Sequence, residues 1–195
     1  MDLRNLCVYC GSNPGRQGIY IEAARELGRA MARQGVGLVY GGASVGIMGA
    51  IADAVLEAGG RAVGVIPESL VRKELAHSGL TELHVTQSMH ERKRMMADRA
   101  DAFVALPGGA GTLEEIFEVW TWAQLGYHDK PCGLYNAGGY YDQLARFLDH
   151  TVAEQFVRPQ HREMLIVEDE PQRLLDRFAQ YEAPSVIKWI GRAET

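Results

Sequence analysis

Short apolar runs alternate along the chain with longer segments in which apolar residues recur every three or four positions. That alternation predicts successive strand–helix units and a parallel sheet covered on both faces. The runs predict strands at Asn5–Cys10, Val36–Tyr40, Ala62–Ile66, Glu82–Val85, Ala102–Leu106, Pro131–Tyr135 and Leu165–Val167. The segments between them predict helices at Ile19–Gln34, Gly46–Ala58, Ser88–Ala100, Thr112–Leu125, Gly139–Glu154 and Glu170–Gln180. The fold class is α/β, a doubly wound three-layer arrangement with a mostly parallel sheet of about seven strands. No linker, repeat or low-complexity stretch interrupts the pattern, so residues 1–195 are expected to form a single domain. The tail from Pro184 to Thr195 carries Val186, Ile187, Trp189 and Ile190, and is expected to dock on the body or on a partner chain.

Composition narrows the function by exclusion. A chain of 195 residues with 47% hydrophobic content can bury a sizeable core without disulfides or metals. Its net charge of -5, with no basic stripe to offset it, argues against nonspecific nucleic-acid binding. Apolar runs such as Val36–Tyr40 are far too short to span a bilayer, and Met1-Asp2-Leu3-Arg4-Asn5 lacks a secretory pattern. Cytoplasmic residence is therefore the default, with no membrane partner. Cys7 and Cys10 have CxxC spacing, but an odd offset on an extended strand sends their side chains to opposite faces, which disfavours a redox pair. Cys132 reads as another buried strand position, and the histidines show no metal-ligand spacing.

The most informative stretch is Pro107-Gly108-Gly109-Ala110-Gly111-Thr112-Leu113-Glu114-Glu115, which follows an apolar strand and opens an amphipathic helix. Glycines let the main chain turn tightly and bring N–H groups close to an anion, while the new helix aims its unpaired N–H groups at the same spot. Glu115 would repel a bare phosphate from one turn inside that helix, so it reads either as a chemical group or as a ligand for a sugar hydroxyl. Thr112 shares its face, whereas Glu114 lies about 100° round the axis. Leu113, Ile116, Phe117, Trp120 and Gln124 read as the core face.

In an open parallel sheet, ligands gather beyond the carboxyl ends of the strands. The loops Gly11-Ser12-Asn13, Gly41-Gly42-Ala43-Ser44, Pro67-Glu68-Ser69 and Pro107 to Thr112 all fall there. In the preceding helix, Met89, Arg92 and Met96 form one stripe at i, i+3 and i+7. A guanidinium set in such a stripe needs an acceptor, and either a phosphate or the Glu115 carboxylate would serve. Lys93 could grip the same phosphate, and His90 reads as a packed residue.

Together Met89-His90-Glu91-Arg92-Lys93 and the Pro107–Glu115 loop resemble the paired signatures of the LOG ("lonely guy") family. The likeness extends to Tyr9-Cys10-Gly11-Ser12, Tyr40-Gly41-Gly42, Ser44 to Gly49, Ile66-Pro67 and Trp122-Ala123-Gln124-Leu125-Gly126. Ala43 departs from it, standing where the family usually has a third glycine. The resemblance implies a Rossmann-like fold and hydrolysis of the N-glycosidic bond of cytokinin riboside 5'-monophosphates or AMP, with no metal and no organic cofactor. It implies Glu115 and Arg92 as catalytic residues. For substrate binding it implies Lys93, the loop Gly108, Gly109, Ala110, Gly111, Thr112, Leu113 and Glu114, the turn residues Gly11, Ser12, Gly42 and Ser44, and Glu74 as a further contact. Thr121 matches a nucleotide contact of the family but points about 120° away from Glu115 on the helix. Either the nucleotide wraps the helix or Thr121 serves a neighbouring subunit, and Trp120, Trp122 and Tyr127 suit a homodimer contact. Two other readings compete: a noncatalytic nucleotide-binding module, and a pyridoxal-phosphate decarboxylase whose Schiff base would need Lys73, Lys93, Lys130 or Lys188.

Overall fold

Each of the seven apolar runs forms a strand. The computed structural model describes residues 2–71 and 76–184. Its strands are β1 (Asn5–Tyr9), β2 (Gly37–Tyr40), β3 (Ala62–Pro67), β4 (Glu82–Thr86), β5 (Ala102–Ala105), β6 (Cys132–Tyr135) and β7 (Leu165–Glu168). They make one sheet in the order β4-β3-β2-β1-β5-β6-β7, and every neighbouring pair is parallel. The chain begins at the centre, winds outward to β4, then crosses back to lay β5 beside β1. That reversal splays apart the loops that leave β1 and β5, opening a crevice at their carboxyl ends.

The connecting helices are α1 (Ile19–Arg33), α2 (Gly46–Glu57), α3 (Glu68–Val71), α4 (Met89–Arg99), α5 (Ala110–Gln124), α6 (Asp142–Ala153), α7 (Pro159–Glu163) and α8 (Pro171–Ala179). Helices α1, α2 and α8 cover one face of the sheet through Leu27, Met31, Ile51, Val55, Leu174 and Phe178. Helices α4, α5 and α6 cover the other through Met96, Ile116, Val119, Trp120 and Leu148. Cys10 joins the first core and Cys7 the second, as their odd spacing predicts. All three cysteines are free and buried.

Four differences from the sequence reading have physical causes. Helix α5 starts at Ala110 rather than Thr112, because Gly109 is extended and serves as its N-cap. Helix α6 starts at Asp142 rather than Gly139, because Gly138 and Gly139 adopt φ of 58° and 73° within the short 3-10 turn Ala137–Gly139. The short helices α3 and α7 carry too few turns to leave a periodic signature. Trp120, expected at a subunit contact, is only 4% exposed; its indole N–H donates to the His161 carbonyl at 2.9 Å, tying α5 to α7 inside one chain. The tail residues 185–195 lie outside the described residues.

Candidate active site

Helix α4 owes its start to Ser88, whose hydroxyl accepts the Glu91 N–H at 3.1 Å while the Glu91 carboxylate accepts the Gln87 N–H at 2.8 Å. This reciprocal capping fixes where the helix begins and therefore which side chains face the sheet. One turn on, Arg92 points inward beneath the carboxyl ends of the strands, with its side chain 6% exposed. Its Nε donates to the Val65 carbonyl at 3.0 Å. A Cβ on Gly41 would stand 2.4 Å from Nη2, so the bare backbone of β2's exit loop makes room for the guanidinium.

Glu115 reaches the same place from α5. Its Oε1 lies 3.9 Å from Arg92 Nη1, and its side chain is 13% exposed. At that separation the pair attracts as an ion pair without a direct hydrogen bond between these two atoms. The charge of Glu115 is felt by its neighbours: burial pushes the Cys10 thiol far up, and Glu115 adds to the shift. Cys10 therefore borders the site as a neutral thiol and not as a nucleophile.

The glycine loop closes the other side. The Gly11 N–H donates to the Pro107 carbonyl at 3.1 Å and the Ile47 N–H to the Gly11 carbonyl at 3.1 Å, which locks the β1, β2 and β5 exit loops together. A Cβ on Gly108 would fall 2.1 Å from Thr112 Oγ1 and 2.9 Å from the Gly11 nitrogen, so only glycine fits that turn. The first N–H groups of an α-helix meet no carbonyl within their own helix, and Gly109, Gly111 and Thr112 at the start of α5 line the crevice.

These elements enclose a cleft of about 550 Å³. Among the sequence-predicted residues, Gly11, Ser12, Arg92, Gly108, Gly109, Gly111, Thr112, Glu114 and Glu115 line it. Ala110, Leu113, Gly42, Ser44, Lys93 and Thr121 do not. Lys93 instead forms an ion pair with Glu114 and a second with Glu118 at 3.3 Å, on the outer side of α4 and α5. Partial burial works against its charge, but those carboxylates win and hold the ammonium pKa above its ordinary value. The Thr121 hydroxyl donates to its own helix at the Phe117 carbonyl, 2.7 Å away, and is exposed. His90, expected to pack, is exposed because it sits on the solvent side of the capped first turn. Glu74 lies outside the described residues.

The cleft also contains residues that the sequence reading did not name as contacts: Asn13, Ile47, Met48 and Met89, which lie within its motifs, and Tyr20, Leu70 and Tyr140, which lie outside them. The apolar members stand on the β2 and β3 side, facing the glycine loop. Tyr140 follows β6, whose carboxyl end opens on the same edge of the sheet; that position was its available signal.

A family model described as "Possible lysine decarboxylase" matches residues 48–178. A protein of Rhodococcoides fascians named "Cytokinin riboside 5'-monophosphate phosphoribohydrolase" is 52% identical over 165 residues, covering 84% of this chain and 83% of its own length. The Oryza sativa subsp. japonica protein named "Cytokinin riboside 5'-monophosphate phosphoribohydrolase LOG" is 47% identical over 178 residues, covering 91% and 74%. The chain belongs to the LOG family. Among solved structures, the molybdenum cofactor binding protein of Rippkaea orientalis superposes with a TM-score of 0.70 at 19% identity, covering 92% of this chain and 98% of that one. The molybdenum cofactor carrier protein of Chlamydomonas reinhardtii gives 0.68 at 21% identity, covering 91% and 97%. At such identities the likeness is one of fold, a Rossmann-like architecture.

The wording of the family model invites a check of the lysines. A Schiff base needs a lysine amine in the cleft. Lys93 is engaged by Glu114 and Glu118, and Lys130 donates to the Ala97 carbonyl at 2.8 Å. Neither lines the cleft; Lys73 and Lys188 lie outside the described residues.

Proposed function

We propose that this LOG-family chain hydrolyses the N-glycosidic bond of adenosine 5'-monophosphates, N6-substituted cytokinin nucleotides and AMP among them, to free base and ribose 5-phosphate. The observation that carries this reading is the buried Arg92–Glu115 couple set beside the glycine loop in one cleft. The phosphate sits on the backbone N–H groups of Gly109 to Thr112. The base lies toward the apolar wall of Ile47, Met48, Leu70 and Met89, and the ribose bridges the two over Glu115.

The chemistry follows from that placement. Breaking the bond from C1' to the base passes through an oxocarbenium-like sugar, which a nearby carboxylate stabilises while it takes a proton from the attacking water. The hydroxyl ends on C1', and the base departs with the bonding pair once a ring nitrogen is protonated. Arg92 faces Glu115 and keeps its carboxylate in position. Binding energy from the phosphate fixes the reacting sugar, so a nucleoside lacking it reacts poorly.

The test is chromatography of the products from AMP, N6-isopentenyl-AMP and adenosine incubated with purified protein and no added metal or cofactor. Free base and ribose 5-phosphate from both nucleotides, with adenosine almost untouched, is the expected result; equal turnover of adenosine and AMP contradicts it.

The active unit in this reading is a cytoplasmic homodimer to which Thr121 contributes across the subunit boundary. Support comes from the exposure of Thr121 on α5 and from two large apolar side chains just beyond it, Leu125 at 37% and Tyr127 at 75% exposure. The three buried free thiols suit a reducing compartment. Mixing inactive Glu115→Gln with inactive Thr121→Arg protein after dissociation should restore activity, whereas a fully active monomer by sedimentation would exclude the dimeric site.

A further inference from the structure

Two adjacent tyrosines at the start of α6 donate to the glycine loop. The Tyr140 hydroxyl gives its proton to the Gly108 carbonyl at 2.6 Å, and the Tyr141 hydroxyl gives its own to the Leu106 carbonyl at 2.6 Å. Between them the Pro107 carbonyl accepts from the Gly11 N–H, and after them the Gly109 carbonyl accepts from the Leu113 N–H at 3.2 Å. Every peptide unit from 106 to 110 thus has its carbonyl pinned. In a trans peptide the N–H points opposite to the C=O, so pinning the carbonyl also aims the following N–H.

The two tyrosines are not equivalent in this respect. Tyr141 fixes the peptide that ends at Pro107, and proline has no N–H to aim. Tyr141 is 1% exposed and packs in the core, where its bond serves folding. Tyr140 fixes the peptide that ends at Gly109, whose N–H belongs to the proposed phosphate cradle. It is 40% exposed and borders the cleft. Gly138 and Gly139, at φ 58° and 73°, make the left-handed turn that brings it there. Its ring meets the edge of Tyr20 at 5.5 Å, and Tyr20 in turn packs on Gly15, where a Cβ would be 2.8 Å from the ring. The ring stack therefore joins the β6 exit loop to the β1 exit loop.

Resting on the function proposed above, we propose that Tyr140 is a positioning residue for phosphate: its hydroxyl orients the Gly108–Gly109 peptide so that the loop binds the substrate's 5'-phosphate. The hydroxyl proton is committed to Gly108, so its effect on substrate passes through the loop. Tyr140→Phe removes that one bond and keeps the ring contacts.

The experiment measures the affinity of wild type, Tyr140→Phe and Tyr141→Phe for ribose 5-phosphate and for adenosine by calorimetry, with kcat and KM for AMP and thermal unfolding alongside. Tyr140→Phe should weaken ribose 5-phosphate about three- to tenfold, the reach of one positioned hydrogen bond. It should raise KM for AMP by a similar factor with little change in kcat, and leave adenosine affinity as it was. Tyr141→Phe should lower the unfolding temperature without altering the preference for ribose 5-phosphate over adenosine. Unchanged ribose 5-phosphate affinity in Tyr140→Phe, or an equal loss for both ligands, overturns the proposal. If wild type binds ribose 5-phosphate yet releases no base from AMP, the hydrolase reading fails and Tyr140 is judged on affinity alone. If wild type does not bind ribose 5-phosphate, both fall.

Discussion

Two cation–carboxylate couples join α4 to α5, and they are built from adjacent residues. Arg92 faces Glu115, and Lys93 faces Glu114. The first couple is almost sealed from solvent but separated by 3.9 Å. The second is in direct contact, reinforced by Glu118, and its Glu114 is 55% exposed. A pair that served only to hold helices together would be expected to show the reverse, close where it is buried and loose where water screens it. Burying two charges is costly, so keeping Arg92 and Glu115 together at the cleft, rather than replacing them with apolar side chains, fits a chemical role for the couple. Adjacent positions about 100° apart on each helix send Arg92 and Glu115 into the cleft and turn Lys93 away from it, with Glu114 lining the cleft at its exposed border.

The sharpest way to break this contrast is Glu115→Gln, which keeps size and removes charge. It should lower kcat for AMP by roughly two to four orders of magnitude, the usual reach of acid–base and electrostatic catalysis, while nucleotide still binds. Steady-state kinetics with a binding assay on the same variant checks this; retention of more than about half the wild-type rate would make the glutamate structural.

Gly41→Ala perturbs the same couple without touching either charge. The added methyl would stand 2.4 Å from Arg92 Nη2 and must push the guanidinium aside. Activity should fall by about tenfold or more, because small misplacements of a positioned group are costly. The unfolding temperature should change little, since the displaced atom ends a flexible side chain.

On the outer couple, Lys93→Met should change kcat/KM by less than about threefold and lower stability by less than about 1 kcal/mol, as for other partly exposed ion pairs. The smallest effect is its pH dependence. The folded-state pKa of Lys93 is raised, so its contribution is fully present below the ordinary lysine value and lost as pH rises through the folded value. The difference in unfolding temperature between wild type and Lys93→Met should therefore be constant near neutrality and shrink only above about pH 10.4.

The apolar runs made the order of strands and helices legible, because a strand buried on both faces cannot hide its hydrophobicity. The crevice was legible too, since the glycine loop and the Arg92 stripe could be placed at one sheet edge from topology. Lys93 is as cationic in sequence as its neighbour, and only the turn of α4 shows that it meets Glu114 and Glu118. Trp120 was misleading, since an aromatic near a helix end reads the same whether it packs within its own chain or against another. Tyr140 had only its position after β6 as a signal, because its contact depends on a carbonyl 32 residues away and on the left-handed turn at Gly138 and Gly139.

The most direct test of the contrast between the couples is kcat for AMP measured through a double-mutant cycle, Arg92→Met with Glu115→Gln, against the same cycle of Lys93→Met with Glu118→Gln, whose carboxylate pairs with Lys93 outside the cleft lining. The inner cycle should be strongly non-additive, with a coupling above about 1 kcal/mol and a double variant little slower than Glu115→Gln alone, while the outer cycle leaves kcat flat. Additive losses at Arg92 and Glu115, or coupling in kcat between Lys93 and Glu118, would contradict the assignment of chemistry to the inner couple.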